Sequence, residues 1–354
     1  MKRVSTFILG FAALILLFRC SDPVKQEATM EAYPADTTDA TNYFYDNAPT
    51  VSLPVTELLV NGEIKNPGQV DFSALPKHTV IVKETRLTGD GDTFTGAYRY
   101  DGYSLLDILN SRILDKKNAT EFEPIIDLFV EIGNAKGEKV LVSWGEIYYP
   151  NHLHEIIIAT EVMRIVPSKT NELWPLPSES KLIVSTDLIT ERNISSPNQI
   201  TVRSIPESYN VDRNIDPFYS PGFEVVVEGQ PLTTITAVPE GFSLLDYRTV
   251  FYGRGRGIHK SKGFTGFMME DLFAGSLPAT RERLCCGLFT ITALDGYRVA
   301  FTYSEVMNRN DQSEVLICAD QEMHNGGKFR IFPAGDFFSD RAVKAVNGIY
   351  FRQY

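Results

Sequence analysis

The sequence predicts an α+β fold made of two tandem, divergent copies of one β-rich domain, and three observations carry that expectation. Short runs rich in β-branched and aromatic residues (Leu58 to Val60, Thr79 to Lys83, Leu128 to Ile132, Lys139 to Val142, Glu155 to Thr160) alternate with Gly, Pro and Asn turn signals. Helical patterning is confined to short pieces such as Ser104 to Ile113, which opens on a plausible Ser N-cap. Finally, a set of segments recurs in the same order in the two halves of the chain.

The recurrence is specific. Phe94-Thr95-Gly96 returns as Phe264-Thr265-Gly266, each ahead of a short amphipathic stretch (Leu105 to Leu109, Met269 to Phe273). Phe129 to Ile147 aligns without gaps on Leu288 to Val306, bringing Gly137 onto Gly296 and Glu146 onto Glu305. At the same offset Glu155 to Ala159 falls on Glu314 to Cys318. Asp187, Arg192 and Ile200 then fall on Asp336, Arg341 and Ile349, after an insertion in the first copy that holds Trp174. A strand, a Gly turn and a second strand make a hairpin in each copy, with Gly supplying φ > 0. The expected boundaries are 53–204 and 221–354, joined by a linker at 205–220.

The N-terminus indicates export. Lys2 and Arg3 precede an unbroken apolar stretch, Phe7 to Phe18, shorter than the roughly 20 residues a spanning helix needs. Cys20 closes it. This resembles a bacterial lipobox, with Arg19 where a small residue normally stands, so a signal peptide at 1–20 and lipidation at Cys20 are expected; a plainly cleaved signal and an uncleaved anchor are the alternatives. Residues 21–52 are acidic and aperiodic and read as a disordered tether. The protein is therefore placed in the cell envelope, lipid-anchored to a membrane.

Composition removes several function classes. A formal charge of −11 argues against nucleic acid as partner. Cys285, Cys286 and Cys318 show no C-x-x-C spacing, so neither a zinc ribbon nor a redox dithiol is indicated; core thiols or one bridge to Cys318 both remain open. No G-x-S-x-G, H-E-x-x-H or P-loop occurs.

Three groups of residues are candidate sites. Arg254, Arg256, His259 and Lys262 lie in the one basic cluster of an acidic chain, where glycines allow close backbone approach and arginines grip anions bidentately. A small anionic ligand is the expectation, a solvated loop or ion-pair patch the alternative. His152 and His154 stand at i and i+2, one face of a strand, with Glu146 or Glu155 as a third metal ligand; surface polarity before a buried strand is the competing reading. His324 sits in a Gly-rich turn that is either just a turn or part of a pocket. Asp187–Arg192 and Asp336–Arg341 read as braces of the closing loop in each copy.

The opening Val60-Asn61-Gly62-Glu63-Ile64-Lys65-Asn66-Pro67, then Leu75-Pro76, the Phe-Thr-Gly element, the Asp295-Gly296-Tyr297-Arg298-Val299 hairpin and the closing Pro333 to Ile349 together resemble the oxidoreductase molybdopterin-binding domain of sulfite oxidase-like enzymes. The resemblance implies two such domains, and molybdopterin as a cofactor. In catalytic members a Cys thiolate binds molybdenum from the segment that corresponds here to Val80–Arg86 and Thr249–Arg254, and neither holds a Cys. Molybdenum is therefore not expected; Glu84 or Thr85 is the substitute ligand an oxidoreductase reading would need. The leading reading is a non-catalytic binding or assembly module for a small anion or an envelope partner protein; a molybdopterin oxidoreductase with a non-Cys ligand is the alternative.

Overall fold

The computed structural model describes residues 44–354, apart from 56, 90, 256, 320–325 and the side chains of 258–262. Cys20, Arg256 and His324, the side chains of His259 and Lys262, and 1–43 with most of the expected tether thus lie outside the described residues. The fold corrects the α+β expectation: it is β-rich. Among the described residues are nineteen strands, and the four α-helices have only five or six residues each: α1 (Leu105–Asn110), α2 (Trp144–Tyr148), α3 (Arg281–Cys286) and α4 (Tyr303–Met307). The helical signals are real but local. Ser104 caps α1 by accepting the Asp107 amide, and the helix ends at Asn110, where the chain turns to meet Asn66. Helices this short are held by packing rather than by propensity.

The strands form four sheets. In the first half, one sheet runs in the order Gly68–Gln69, Leu59–Gly62, Pro197–Ser204, Leu128–Asn134, Lys139–Ser143. The other runs Val51–Ser52, Ile156–Arg164, Gly91–Ser104, His78–Thr88, with Lys181–Val184 also on Ile156–Arg164. In the second half the orders are Gln230–Ile235, Phe223–Val227, Val346–Gln353, Gly287–Ala293, Arg298–Thr302 and Leu245–Gly253, Gly257–Met268, Val315–Ala319, Phe329–Pro333. Each half contains one parallel pair, between its opening and closing strands: Leu59–Gly62 with 199–202, and 224–227 with 348–351. The central hairpins turn at Gly137 and Gly296, with φ of 82° and 79°.

Strand pairing also sets the correspondence of the Phe-Thr-Gly elements, and it differs from the sequence expectation. Gly102 pairs with Ala159 and Gly266 with Cys318, positions that match in the gapless alignment. An added Cβ would lie 2.2 Å from the Ile158 carbonyl oxygen at Gly102 and 2.7 Å from that of Ile317 at Gly266. Both are glycines because a neighbouring backbone approaches closely. Gly266 therefore answers to Gly102, and the Phe94-Thr95-Gly96 match is six residues out of register.

Gly287–Ala293 is wholly buried, and Leu128–Asn134 is buried apart from the half-buried Glu131 and Gly133. One face of each packs into its own half: Leu128, Val130 and Ile132 in one core, Phe289, Ile291 and Ala293 in the other. The opposite faces meet each other, through Phe129 and Leu141 against Leu288 and Ala300. A strand covered on both faces loses the period-2 signal and reads as a continuous apolar run.

The end of the expected tether is docked. Val51–Ser52 pair antiparallel with Glu161 and Val162, and Asn47 exchanges two hydrogen bonds with the backbone of Val166 (2.8 and 3.1 Å). Cys285, Cys286 and Cys318 form no disulfide among the described residues, and burial pushes Cys285 up to about 12, which leaves it protonated and unreactive near neutral pH.

Candidate functional site

The seam between the halves is built on α2 and α4, which begin at Ser143 and Thr302. Each hydroxyl accepts the backbone N–H three residues on, from Glu146 (2.9 Å) and Glu305 (3.2 Å). These capping positions turn two glutamates inward, where each meets an arginine of its own half. Arg192 donates to both Asp187 oxygens (2.8 and 2.5 Å) and both Glu146 oxygens (3.0 and 2.6 Å). Arg341 donates to both Asp336 oxygens (2.8 and 2.7 Å) and to Glu305 (2.6 Å). Each guanidinium then reaches across the seam: Arg192 to the Thr302 hydroxyl and Arg341 to the Ser143 hydroxyl, both at 3.3 Å. Burial opposes the charge on both arginines, and the carboxylates outweigh it, so both are held above their ordinary value.

The backbone repeats this exchange. Leu188 N–H donates to Asn308 and Phe337 N–H to Tyr149, while Asn151 N–H donates to Gly335 and Asn310 N–H to Thr186. The two halves are thus interlocked at one reciprocal joint. Glu146 is consumed there, which removes it as a metal ligand for His152.

Two cavities open on the seam. The first, about 240 Å³, is lined mainly by polar residues, among them His152, Glu155, Ser185, Arg309, Asp311 and Ser313. Its main cation is already engaged, Arg309 Nε donating to Asp311 at 2.8 Å. The second, about 310 Å³, lies on the other side of α2. Trp144, Tyr148 and Tyr149 form an aromatic wall, Leu109 and Arg112 close one side, and Arg254 and Phe338 come from the second half. Trp144 and Tyr148 are stacked with centroids 4.7 Å apart. Tyr149 is 2% exposed, and its hydroxyl has no hydrogen-bond partner among the described residues. Burial raises this phenol to about 12, so it remains a neutral donor.

Of the expected basic cluster, Arg254 is the member whose side chain the structure places in a cavity. It stands at the turn between Leu245–Gly253 and Gly257–Met268, half-exposed, its Nε 3.8 Å from Asp340. His259 and Lys262 belong to the second of these strands. His152 and His154 both line a small pocket with Glu146 and Glu155; His152 also borders the polar cavity, while His154 approaches His78 and Asp107. Of the segments matched to the metal loop, Val80–Arg86 lies within the strand His78–Thr88, and Thr249–Arg254 runs along the end of Leu245–Gly253 into the turn at Arg254. Glu84 is buried and committed, accepting from Lys181 (2.5 Å) and the Tyr100 hydroxyl (2.7 Å). Arg86 pairs with Glu191 at 3.2 Å, not with Glu84.

Trp144, Tyr148 and Tyr149 were not legible as site residues; their one signal was an aromatic-rich stretch at the end of the repeated segment and just past it. No protein-family model matches this chain, and no curated protein matches it, so the resemblance to molybdopterin-binding domains rests on the motifs quoted above.

Proposed function

We propose that this protein is a non-catalytic binding module of the cell envelope, assembled from a tandem duplication, whose aromatic seam cavity takes a small anion carrying a flat ring. The observation that carries the reading is the buried Tyr149 hydroxyl without a partner, in a cavity whose rim bears Arg254. A buried polar group left unpaired is disfavoured by about 1–3 kcal/mol, and a ligand acceptor removes that penalty. The aromatic wall offers ring faces for stacking, and the volume falls at the small end of ligand pockets. The half-exposed guanidinium supplies charge-assisted donors to an anion.

Phenyl phosphate is the smallest probe of this chemistry. The chain has two tryptophans, so in a Trp174→Phe background the fluorescence reports Trp144 alone. Saturable quenching is expected, weakened roughly tenfold, about 1.4 kcal/mol, by Arg254→Ala. No saturable change up to about 10 mM, a concentration at which even a binder of about −4 kcal/mol would saturate, would reject the proposal.

The envelope placement rests on Cys20 closing the apolar leader. Cys20→Ala is expected to release the protein from membranes and abolish labelling by a fatty-acid probe; unlabelled wild type that stays membrane-bound would refute lipidation.

A further inference from the structure

We infer that His78, Asp107 and His154 form a binding site for one divalent transition-metal ion of the zinc class, outside the seam cavities. Three segments distant in sequence bring them together: the first residue of His78–Thr88, the first turn of α1, and the residues just before Ile156–Arg164. One donor atom from each side chain lies within 4.8 Å of the other two. Asp107 Oδ2 is 2.7 Å from His78 Nε2 and 3.6 Å from His154 Nδ1. A tetrahedral site with bonds of 2.0–2.1 Å separates its donors by about 3.4 Å, so the spacing needs small adjustment only.

Two features indicate that the arrangement is built. His154 has φ of 67°, a left-handed conformation that a side chain-bearing residue adopts at a cost of order 1 kcal/mol, and it is this turn that brings its ring to Asp107. Behind the donors stands Ser104, fully buried, whose hydroxyl contacts Asp107 Oδ2 at 2.8 Å and His154 Nδ1 at 3.0 Å. These contacts fix the two side chains at the site; when an ion takes Nδ1, the serine hydroxyl keeps its bond to the Asp107 carboxylate and orients that ligand. The two imidazoles are stacked, centroids 3.9 Å apart and 7° from parallel. An ion between them requires the rings to fan apart, and their exposures of 23% and 31% leave room for that and for a water at the fourth position.

The second half has lost the set. Strand pairing places Leu245 where His78 stands, since these residues pair with Gly266 and Gly102 respectively. The gapless alignment places Ser313 where His154 stands, and of the three donors only the aspartate has a counterpart, Asp271. Two nitrogen donors and one oxygen suit zinc, cobalt, nickel or copper over calcium or magnesium.

The test is calorimetric titration of the EDTA-stripped, dialysed full chain with zinc chloride at pH 7.5. One ion per chain is expected. His154→Ala, His78→Gln and Asp107→Asn are each expected to weaken binding at least tenfold, with His152→Ala binding as wild type does. Circular dichroism of the metal-free variants checks folding, and His78→Gln carries the test if His154→Ala, at its left-handed turn, fails to fold. The inference is overturned if the wild type binds no zinc below about 100 µM, if His78→Gln binds like the wild type, or if His152→Ala alone abolishes binding.

Discussion

Arg192→Ala will lower the unfolding free energy by about 3–5 kcal/mol, because it removes the cation hydrogen-bonded to two buried carboxylates. Asp187 and Glu146 are 2% and 6% exposed, and Arg192 supplies four of their hydrogen bonds. Without it, Asp187 is left buried with no hydrogen-bonding cation, and Glu146 is left facing the seam cavity it borders. The loss has a distinctive pH dependence. Burial pushes both carboxyls up, and Arg192 is the principal force pulling them down. In the variant, therefore, their folded-state values stay raised above the unfolded ones. A raised carboxyl contributes stability when protonated and loses it as pH climbs through the folded value. The deficit relative to wild type will be larger at pH 8 than at pH 5. Urea denaturation at the two pH values measures it; an equal deficit at both would show that the carboxylates are not left charged and unpaired. Replacing all three residues by Met, Leu and Leu will recover much of the loss, since orphaned charge is the origin of the cost.

Local chemistry explains what the sequence disclosed. Gly137 and Gly296 mark their hairpins because a turn needing positive φ announces itself within four residues. Glu146, Asp187 and Arg192, with Glu305, Asp336 and Arg341, stand out as recurring charges, and they converge in the structure on two buried clusters. Their reach across the seam was not legible, because the Arg192–Thr302 and Arg341–Ser143 contacts join residues more than a hundred positions apart. The Phe-Thr-Gly match failed for a related reason. A three-residue identity fixes no register, whereas the close backbone approach that demands glycine at 102 and 266 belongs to the neighbouring strand.

The overestimate of helix came from Ser104 to Ile113, whose apolar spacing suits a helix of ten residues; the chain instead leaves α1 after six and hydrogen-bonds to the Asn66 side chain. The candidate sites divide the same way. His154 drew notice through its neighbour His152, yet its partners in space are 76 and 47 positions upstream. Period-2 spacing places two side chains on one face only inside a strand, and Ile156 is where the strand begins.

Gly145→Ala will destabilise the protein by about 3 kcal/mol, although the same change inside a helix ordinarily stabilises by roughly 0.5–1 kcal/mol. Gly145 lies in α2 directly under the Arg341 guanidinium. A Cβ there would sit 2.3 Å from Nη1 and 2.4 Å from both Cζ and Nε. Surface arginines move aside for a methyl group at little cost. Arg341 has nowhere to go: it is 3% exposed, forked onto Asp336, bonded to Glu305 and laid over the Phe301 ring at 4.2 Å. The added carbon must either part the two halves or pull the guanidinium off its carboxylates. The gapless match of the halves puts Ser304 at the equivalent position, where its hydroxyl donates to the Leu284 carbonyl (3.0 Å), a partner supplied by α3. The requirement for glycine is thus particular to the first half and would not follow from the repeat. A double-mutant cycle isolates the cause. In an Arg341→Ala background the clash is gone, and Gly145→Ala will be neutral or stabilising there, giving a coupling of more than about 2 kcal/mol between the two sites. Additive losses would mean that α2 itself, rather than the arginine above it, rejects the methyl group.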